Sequence, residues 1–259
     1  MWVLETVAVA FGMYSALPVP RVAWTEKNMR FALCAFPLIG AAIGLSWWGW
    51  TALCGALALP QPLRGAGLCA LPALVTGGIH LDGYADTADA LASHAAPKRR
   101  QEILRDPHCG AFAVIRLCVY FLSYFALCCA FEATDGALRC MGFGFVLSRA
   151  LSGAALTALP VAEQSSLART FASAADRRRT AAFLSAVSGV CLVGIYRYGG
   201  RLAFFGAVGV SLAATLRYAH TAKRNFGGVS GDLAGWFLVK EEFWLLAALI
   251  AAQYGERAL

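Results

Sequence analysis

The sequence predicts an all-α, polytopic integral membrane protein, a helical bundle of about seven transmembrane helices with an additional amino-terminal membrane or interfacial helix. Three observations carry this. Apolar residues make up 59% of the 259 and charged residues only 14%, a balance seldom reached where the solvent is water. The apolar residues gather in runs close to the roughly 20 that a helix needs to cross about 30 Å of hydrocarbon. The net charge of +7 is spread unevenly over the connections between those runs.

In chain order, residues 1–17 are apolar but carry Glu5, and no Lys or Arg precedes them as in a secretion signal. They read as a helix that spans, re-enters or lies in the interface. Seven runs follow, at 31–59, 65–78, 111–131, 136–159, 181–196, 202–218 and 236–253. The second and fifth are short for a crossing and must borrow neighbouring residues. Basic residues cluster before the first run (Arg21, Lys27, Arg30), between the second and third (Lys98, Arg99, Arg100, Arg105), between the fourth and fifth (Arg169, Arg177, Arg178, Arg179), and around the gap from sixth to seventh (Arg217, Lys223, Arg224). Two crossings separate each cluster from the next, so all four fall on one side. By the positive-inside rule that side is the cytoplasm of a multi-pass inner-membrane protein. The connections at 60–64, 132–135 and 197–201 are short and poorer in basic residues. The expected partner of most of this basic charge is the lipid bilayer and not a nucleic acid. No repeat or long polar linker divides the chain, which reads as a single domain over residues 1–259. The nine cysteines lie mostly inside apolar runs without metal-site spacing and read as small buried residues.

Chemistry is expected in the polar segments of the basic side. Residues 76–91 begin Thr-Gly-Gly-Ile-His-Leu-Asp and place Asp82, Asp86 and Asp89 at i, i+4 and i+7. At 100° per residue these form one narrow helical stripe. Like charges so spaced repel unless a cation lies among them. Oxygen ligands without nearby thiolates favour Mg²⁺, with Mn²⁺ as an alternative, and Mg²⁺ is commonly completed by substrate phosphates. A solvated acidic face or a proton path through a transporter would show the same spacing. Gly77, Gly78 and Gly83 leave room for a backbone or ligand to approach. His80 falls on the other side of the turn, as a capping or structural histidine or as a proton acceptor.

Two further segments lie on the same side. Arg105 and Asp106 precede Pro107 and Gly110 at the start of the third run; Asp106 reaches the site from there or caps the helix. Lys223 and Arg224 precede Gly227, Gly228, Ser230 and Asp232. A glycine-rich turn leading into a helix exposes amide donors suited to phosphate.

Taken together, these segments resemble the cobalamin synthases, also named adenosylcobinamide-GDP ribazoletransferases. The likeness covers nearly the whole chain. It runs through Leu17-Pro-Val-Pro20, Phe36-Pro-Leu-Ile-Gly40, the signature at 76–89, Ile103-Leu-Arg-Asp-Pro-His-Cys-Gly110, Ser148-Arg149 and Gly227-Gly-Val-Ser-Gly-Asp232. The chain departs at Ser15-Ala16, where Thr-Arg is frequent, across 171–178, which lack a Gly-Lys-x-x-Gly stretch, and at Val239, where the family tends to carry a glutamate; Glu242 matches. The resemblance implies an Mg²⁺-dependent transferase that joins adenosylcobinamide-GDP to α-ribazole, or to its 5′-phosphate, with release of GMP. It implies metal ligation by Asp82, Asp86 and Asp89 and a catalytic set of Asp82, Asp106 and His80, in which Asp106 completes the metal shell or takes the hydroxyl proton and His80 is the runner-up for that proton. Substrate contacts would come from Gly77, Gly78, Gly83, Arg105, Arg149, Lys223, Arg224, Gly227, Gly228, Ser230, Asp232 and Glu242. The residues themselves leave two other readings open, a CDP-alcohol phosphatidyltransferase-like enzyme and a cation or proton transporter.

Overall fold

The computed structural model describes residues 2–162 and 176–258, whose regular elements are all helical. Arg169 and most of the 171–178 stretch lie outside the described residues. The helices are α1 (Trp2–Tyr14), α2 (Glu26–Met29), α3 (Ala32–Ala56), α4 (Gln61–Thr76), α5 (Ile79–Ala92), α6 (Pro97–Ile103), α7 (Ala111–Ala130), α8 (Asp135–Ala158), α9 (Arg177–Thr221) and α10 (Gly231–Ala258). A π-helical turn, Ala222–Phe226, extends α9. Among the described residues side-chain oxygens satisfy free N–H groups at four helix starts: Thr25 accepts from Asn28, Thr134 from Ala137, Asp176 from Arg179 and Ser230 from Leu233.

By length and composition the described helices give four spans, or five if α4 and α5 count as one broken span, not the seven expected. The difference has physical sources. The run at 65–78 ends in a 94° bend between α4 and α5. The run at 236–253 carries Lys240, Glu241 and Glu242 in the middle of α10. The runs at 181–196 and 202–218 form the two arms of the 45-residue α9, which breaks at Gly200, whose φ of 72° and ψ of −168° are not helical. The chain reverses there. Before the break Leu184 packs at Gly153 and Gly194 at Phe143, so the first arm runs antiparallel to α8. After it Gly206 meets Ala248, Ser211 donates to Glu241 at 2.9 Å and Tyr218 stacks on Phe237, so the second arm runs antiparallel to α10.

The basic connections meet at one end of the bundle. Arg30 pairs with Asp176 at 3.0 Å, Arg177 donates to the Thr157 carbonyl at 2.9 Å, Arg100 bonds Asn225, and Gln101 donates to the Phe226 carbonyl at 3.0 Å. At the opposite end Gln253 donates to the Glu132 carbonyl at 2.7 Å, Arg257 pairs with Glu132 and Gly200 lies beside Glu256. One apolar cluster, including Trp47, Tyr124, Phe131 and Phe145, fills the far half; another, including Phe36, Tyr218, Phe226 and Phe237, underlies the basic end. Helix α3 approaches α8 through Gly40 against the Phe145 backbone and Gly44 against Gly142, the small-residue contact that substitutes for hydrophobic drive in lipid. All nine cysteines are free, but Cys109 and Cys118 are exposed, correcting the expectation of general burial.

Two features hold the basic end in shape. The first is the elbow between α4 and α5, where Gly77 and Gly78 take φ of 65° and 80°. A β-carbon there clashes with the following carbonyl, at about 1–2 kcal/mol per residue. The amino-terminal segment braces the elbow, with the Ala16 N–H donating to the Val75 carbonyl at 2.9 Å. The second is a buried ion pair between α8 and α10. Arg149, 1% exposed, donates to Glu242 at 2.6 Å and to the Phe145 carbonyl at 2.9 Å, and Ser148 donates to the same Glu242 oxygen at 2.9 Å.

Each feature has a measurable consequence. A β-carbon on Gly78 meets no atom within 4 Å, so Gly78→Ala isolates the backbone cost. It should lower unfolding free energy in detergent by about 1–2 kcal/mol, and an unchanged denaturation midpoint would contradict the elbow geometry. For the ion pair the two truncations should differ. Glu242→Ala strands a guanidinium that cannot lose its proton, with an expected loss of roughly 3–5 kcal/mol. Arg149→Met leaves a carboxyl that can take up a proton, so its loss should be smaller. Equal losses would argue against a desolvated pair.

Candidate active site

Helix α5 is buried on nearly all sides. Gly83, Tyr84, Ala85, Thr87, Ala88 and Ala90 are enclosed, whereas Asp82 is exposed and Asp86 and Asp89 are partly open. The acidic stripe anticipated from spacing is therefore the accessible face of this helix. A fourth carboxylate joins it from α10. A β-carbon on Gly83 would lie 2.7 Å from Cα of Asp232, so the two backbones touch at this point. Asp86 lies within the electrostatic reach of Asp82, Asp232 and Asp89. Among the described residues, none of the four acids forms an ion pair.

The four are not equivalent. An Asp89 oxygen accepts the Ala113 N–H at 3.3 Å, and Gly110 packs directly on its carboxylate. Asp89 thus complements the unpaired donors and positive dipole end of α7. At 1.5 Å rise per residue, Asp82 and Asp89 stand about 10 Å apart along α5. Accordingly, among the described residues no three His, Cys, Asp or Glu side chains converge as a single-ion site. The donor chemistry nevertheless fits a hard cation. All four groups are carboxylates, they come from two helices in backbone contact, and their mutual repulsion has no counter-charge from the described side chains.

The other anticipated residues divide into two groups. His80 lies in the interior, its ring edge against Phe36 with centroids 5.7 Å apart. It shares with Arg149 and Glu242 a cavity of about 20 Å³, far below the roughly 300 Å³ of a small-molecule site. The structure therefore places these three beneath the elbow, apart from the acidic face. Gly77 and Gly78 turn the chain, and Ser230 caps α10. Gly228 packs against Pro160 and Val161 while the Val229 N–H donates to the Pro160 carbonyl at 2.8 Å, fixing the glycine turn to the segment after α8.

The second group stays at the surface. Arg105, Lys223 and Arg224 are exposed, as is Gly227. Asp106 is also exposed; its Oδ1 accepts the His108 N–H at 3.0 Å and lies 2.7 Å from His108 Nδ1. These two interactions, the backbone one first, hold the Asp106 carboxyl below its usual range. The 2.7 Å contact orients the His108 ring and leaves Nε2 facing outward, an Asp–His arrangement suited to accepting a proton. His108 and the placement of Asp232 among the carboxylates were missed from sequence. The Asp-Pro-His order was a signal for the former, whereas only the packing of α10 on Gly83 reveals the latter.

Comparison with known proteins follows the same lines. The sequence model of the cobalamin-5-phosphate synthase family matches residues 6–250. A protein of Lachnoclostridium phytofermentans named adenosylcobinamide-GDP ribazoletransferase is 39% identical over 96% of this chain and 95% of its own length. Proteins of the same name from Azorhizobium caulinodans and Clostridium perfringens are 34% and 28% identical, covering 90% and 92% of this chain and 90% and 94% of their own lengths. No solved structure matches. With its acids, glycine turns and basic end arranged over nearly the full length that the family model matches, the chain belongs to the cobalamin-5-phosphate synthase family.

Proposed function

We propose that the chain is an adenosylcobinamide-GDP ribazoletransferase of cobalamin biosynthesis, joining adenosylcobinamide-GDP to α-ribazole or its 5′-phosphate and releasing GMP. Family membership and the names of the relatives support the activity. The observation that carries the mechanism is the set of four carboxylates from α5 and α10 with no ion-pair partner among the described residues. A pyrophosphate donor would not approach such a surface unaided. Because no three of the described acids converge on one point, Asp82, Asp86 and Asp232 would hold Mg²⁺ only in company with the donor's own phosphate oxygens, with Asp89 at the edge of the set, secured by the Ala113 N–H. The bound ion would supply charge neutralisation at the pyrophosphate oxygens.

The remaining groups have separate duties. Lys223, Arg224 and Arg105, exposed at the same end, would orient the nucleotide phosphates by charge. The hydroxyl of the ribazole attacks the phosphorus nearer the corrinoid, GMP departs, and the hydroxyl proton passes to His108, oriented by Asp106. His80, Arg149 and Glu242 act from the interior by fixing α5 against α8 and α10. The basic end would face the cytoplasm of an inner-membrane protein.

Purified protein incubated with adenosylcobinamide-GDP, α-ribazole and Mg²⁺ should release GMP. Asp82→Asn, Asp86→Asn and Asp232→Asn should each lower that rate by roughly 100-fold or more at fixed Mg²⁺, the equivalent of about 3 kcal/mol in the transition state. Their thermal stability without metal should be equal to or above the parent's, because repulsion is relieved. Parental rates for all three across a Mg²⁺ titration would exclude the carboxylate set as the metal site.

Orientation has its own test. Single cysteines at Lys98 and Arg178 of a cysteine-free variant should resist an impermeant thiol reagent applied to intact cells and react once the membrane is opened. Labelling of either from outside would invert the topology.

A further inference from the structure

Away from the acidic face, a lateral groove of about 500 Å³ opens between the second arm of α9 and α10. Its walls are Gly209, Val210, Ala213 and Ala214 on one side and Trp236, Phe237 and Trp244 on the other, with Arg217 and Lys240 the only charged lining groups. The two cations converge. Lys240 sits about 14 Å along α10 from Gly231, and its ammonium lies 4.6 Å from the ring centre of Trp236, one turn nearer the basic end. This is the snorkelling direction for a lysine on a helix starting at that interface. Arg217, near the end of the antiparallel arm, has its Cβ tilted back toward Lys240. The ammonium is within the electrostatic reach of Arg217 and also of Arg116 on α7, all like charges. Among the described residues none of the three makes an ion pair. Three cations among apolar helices, with no ion-pair partner among the described residues, are costly unless an anion neutralises them.

We infer that this groove binds an anionic phospholipid, its phosphate between Arg217 and Lys240 and one acyl chain along the apolar walls. The charge pattern selects the occupant: the groove is apolar along its length, cationic toward one end, and open sideways, as a lipid would enter it. A soluble anion would be served by the cations but not by the walls, and a zwitterionic lipid would gain from the walls but much less from the cations. None of the groove's lining residues belongs to the acidic cluster, and the inference does not depend on the reaction proposed there.

Native mass spectrometry of the delipidated full chain, titrated with phosphatidylglycerol or with phosphatidylcholine of the same chains, tests the assignment. Each cation near a membrane surface contributes about a fivefold preference for anionic lipid, so phosphatidylglycerol should bind at least about tenfold tighter than phosphatidylcholine. Arg217→Gln with Lys240→Gln should abolish that preference, whereas Arg217→Lys with Lys240→Arg should keep most of it. Ala213→Trp, which fills the groove and leaves the charges, should weaken phosphatidylglycerol binding severalfold. Equal binding of the two lipids by the parent, or undiminished preference in the Gln double variant, would overturn the inference. So would complete displacement of phosphatidylglycerol by millimolar inorganic phosphate, which would assign the cations to a soluble anion.

Discussion

Much of the basic end depends on how closely α5 can approach α10. Two glycines from opposite helices set that distance: Gly83 against the Asp232 backbone, and Gly235, where a β-carbon would lie 2.8 Å from the His80 carbonyl. In lipid there is little hydrophobic gain from pressing two helices together, so close backbone contact must supply the attraction. Here the same contact gathers four negative charges. Packing favours the approach and electrostatics oppose it, and the opposition is greatest where a cation would remove it.

Tension of this kind needs anchors that do not yield. The Gly77–Gly78 elbow fixes the direction in which α5 leaves α4, and the Arg149–Glu242 pair fixes α8 to α10 directly beneath it. The elbow stands at the amino-terminal end of α5 and the ion pair is buried in the interior. The bridge between Val161 and Val229 performs a similar service above, tying the glycine turn before α10 to the segment that follows α8. The acidic face is thus mounted on a frame tied together by a buried charge pair and backbone hydrogen bonds, the arrangement expected of a preorganised site.

The sequence made the acidic stripe legible because helical periodicity is local: Asp82, Asp86 and Asp89 needed only 3.6 residues per turn to align. Basic clusters were readable for a comparable reason, since parity of crossings does not require knowing how helices pack. What was not legible was whatever depended on a partner helix. Asp232 looked like part of a phosphate-binding turn because nothing local shows that it rests on Gly83. Arg149 and Glu242 looked like substrate contacts by resemblance, but a residue's place in a motif does not say whether it faces a ligand or another helix. Span counting fell short at Gly77–Gly78, where left-handed glycines bend the chain by 94° without a polar loop to announce it, whereas the break at Gly200 falls within the connection at 197–201 that was read from sequence. His108 was passed over although the local Asp-Pro-His order was there to read, because its significance arises from its ring and backbone contacts to Asp106.

The bend of 94° between α4 and α5 also bears on how reactants find this surface. Packed along the first turns of α10, with Gly83 at Asp232 and Gly235 at His80, α5 carries its carboxylates toward the bundle's basic end, which in the proposed orientation is the boundary between hydrocarbon and water. A donor with a bulky, partly apolar body and a charged pyrophosphate tends to collect at that same boundary. Its encounters with the protein are then governed by molecules per unit area of membrane instead of per volume of cytosol. Adding inert lipid would slow such a catalyst by surface dilution, while adding water at constant membrane would scarcely affect it.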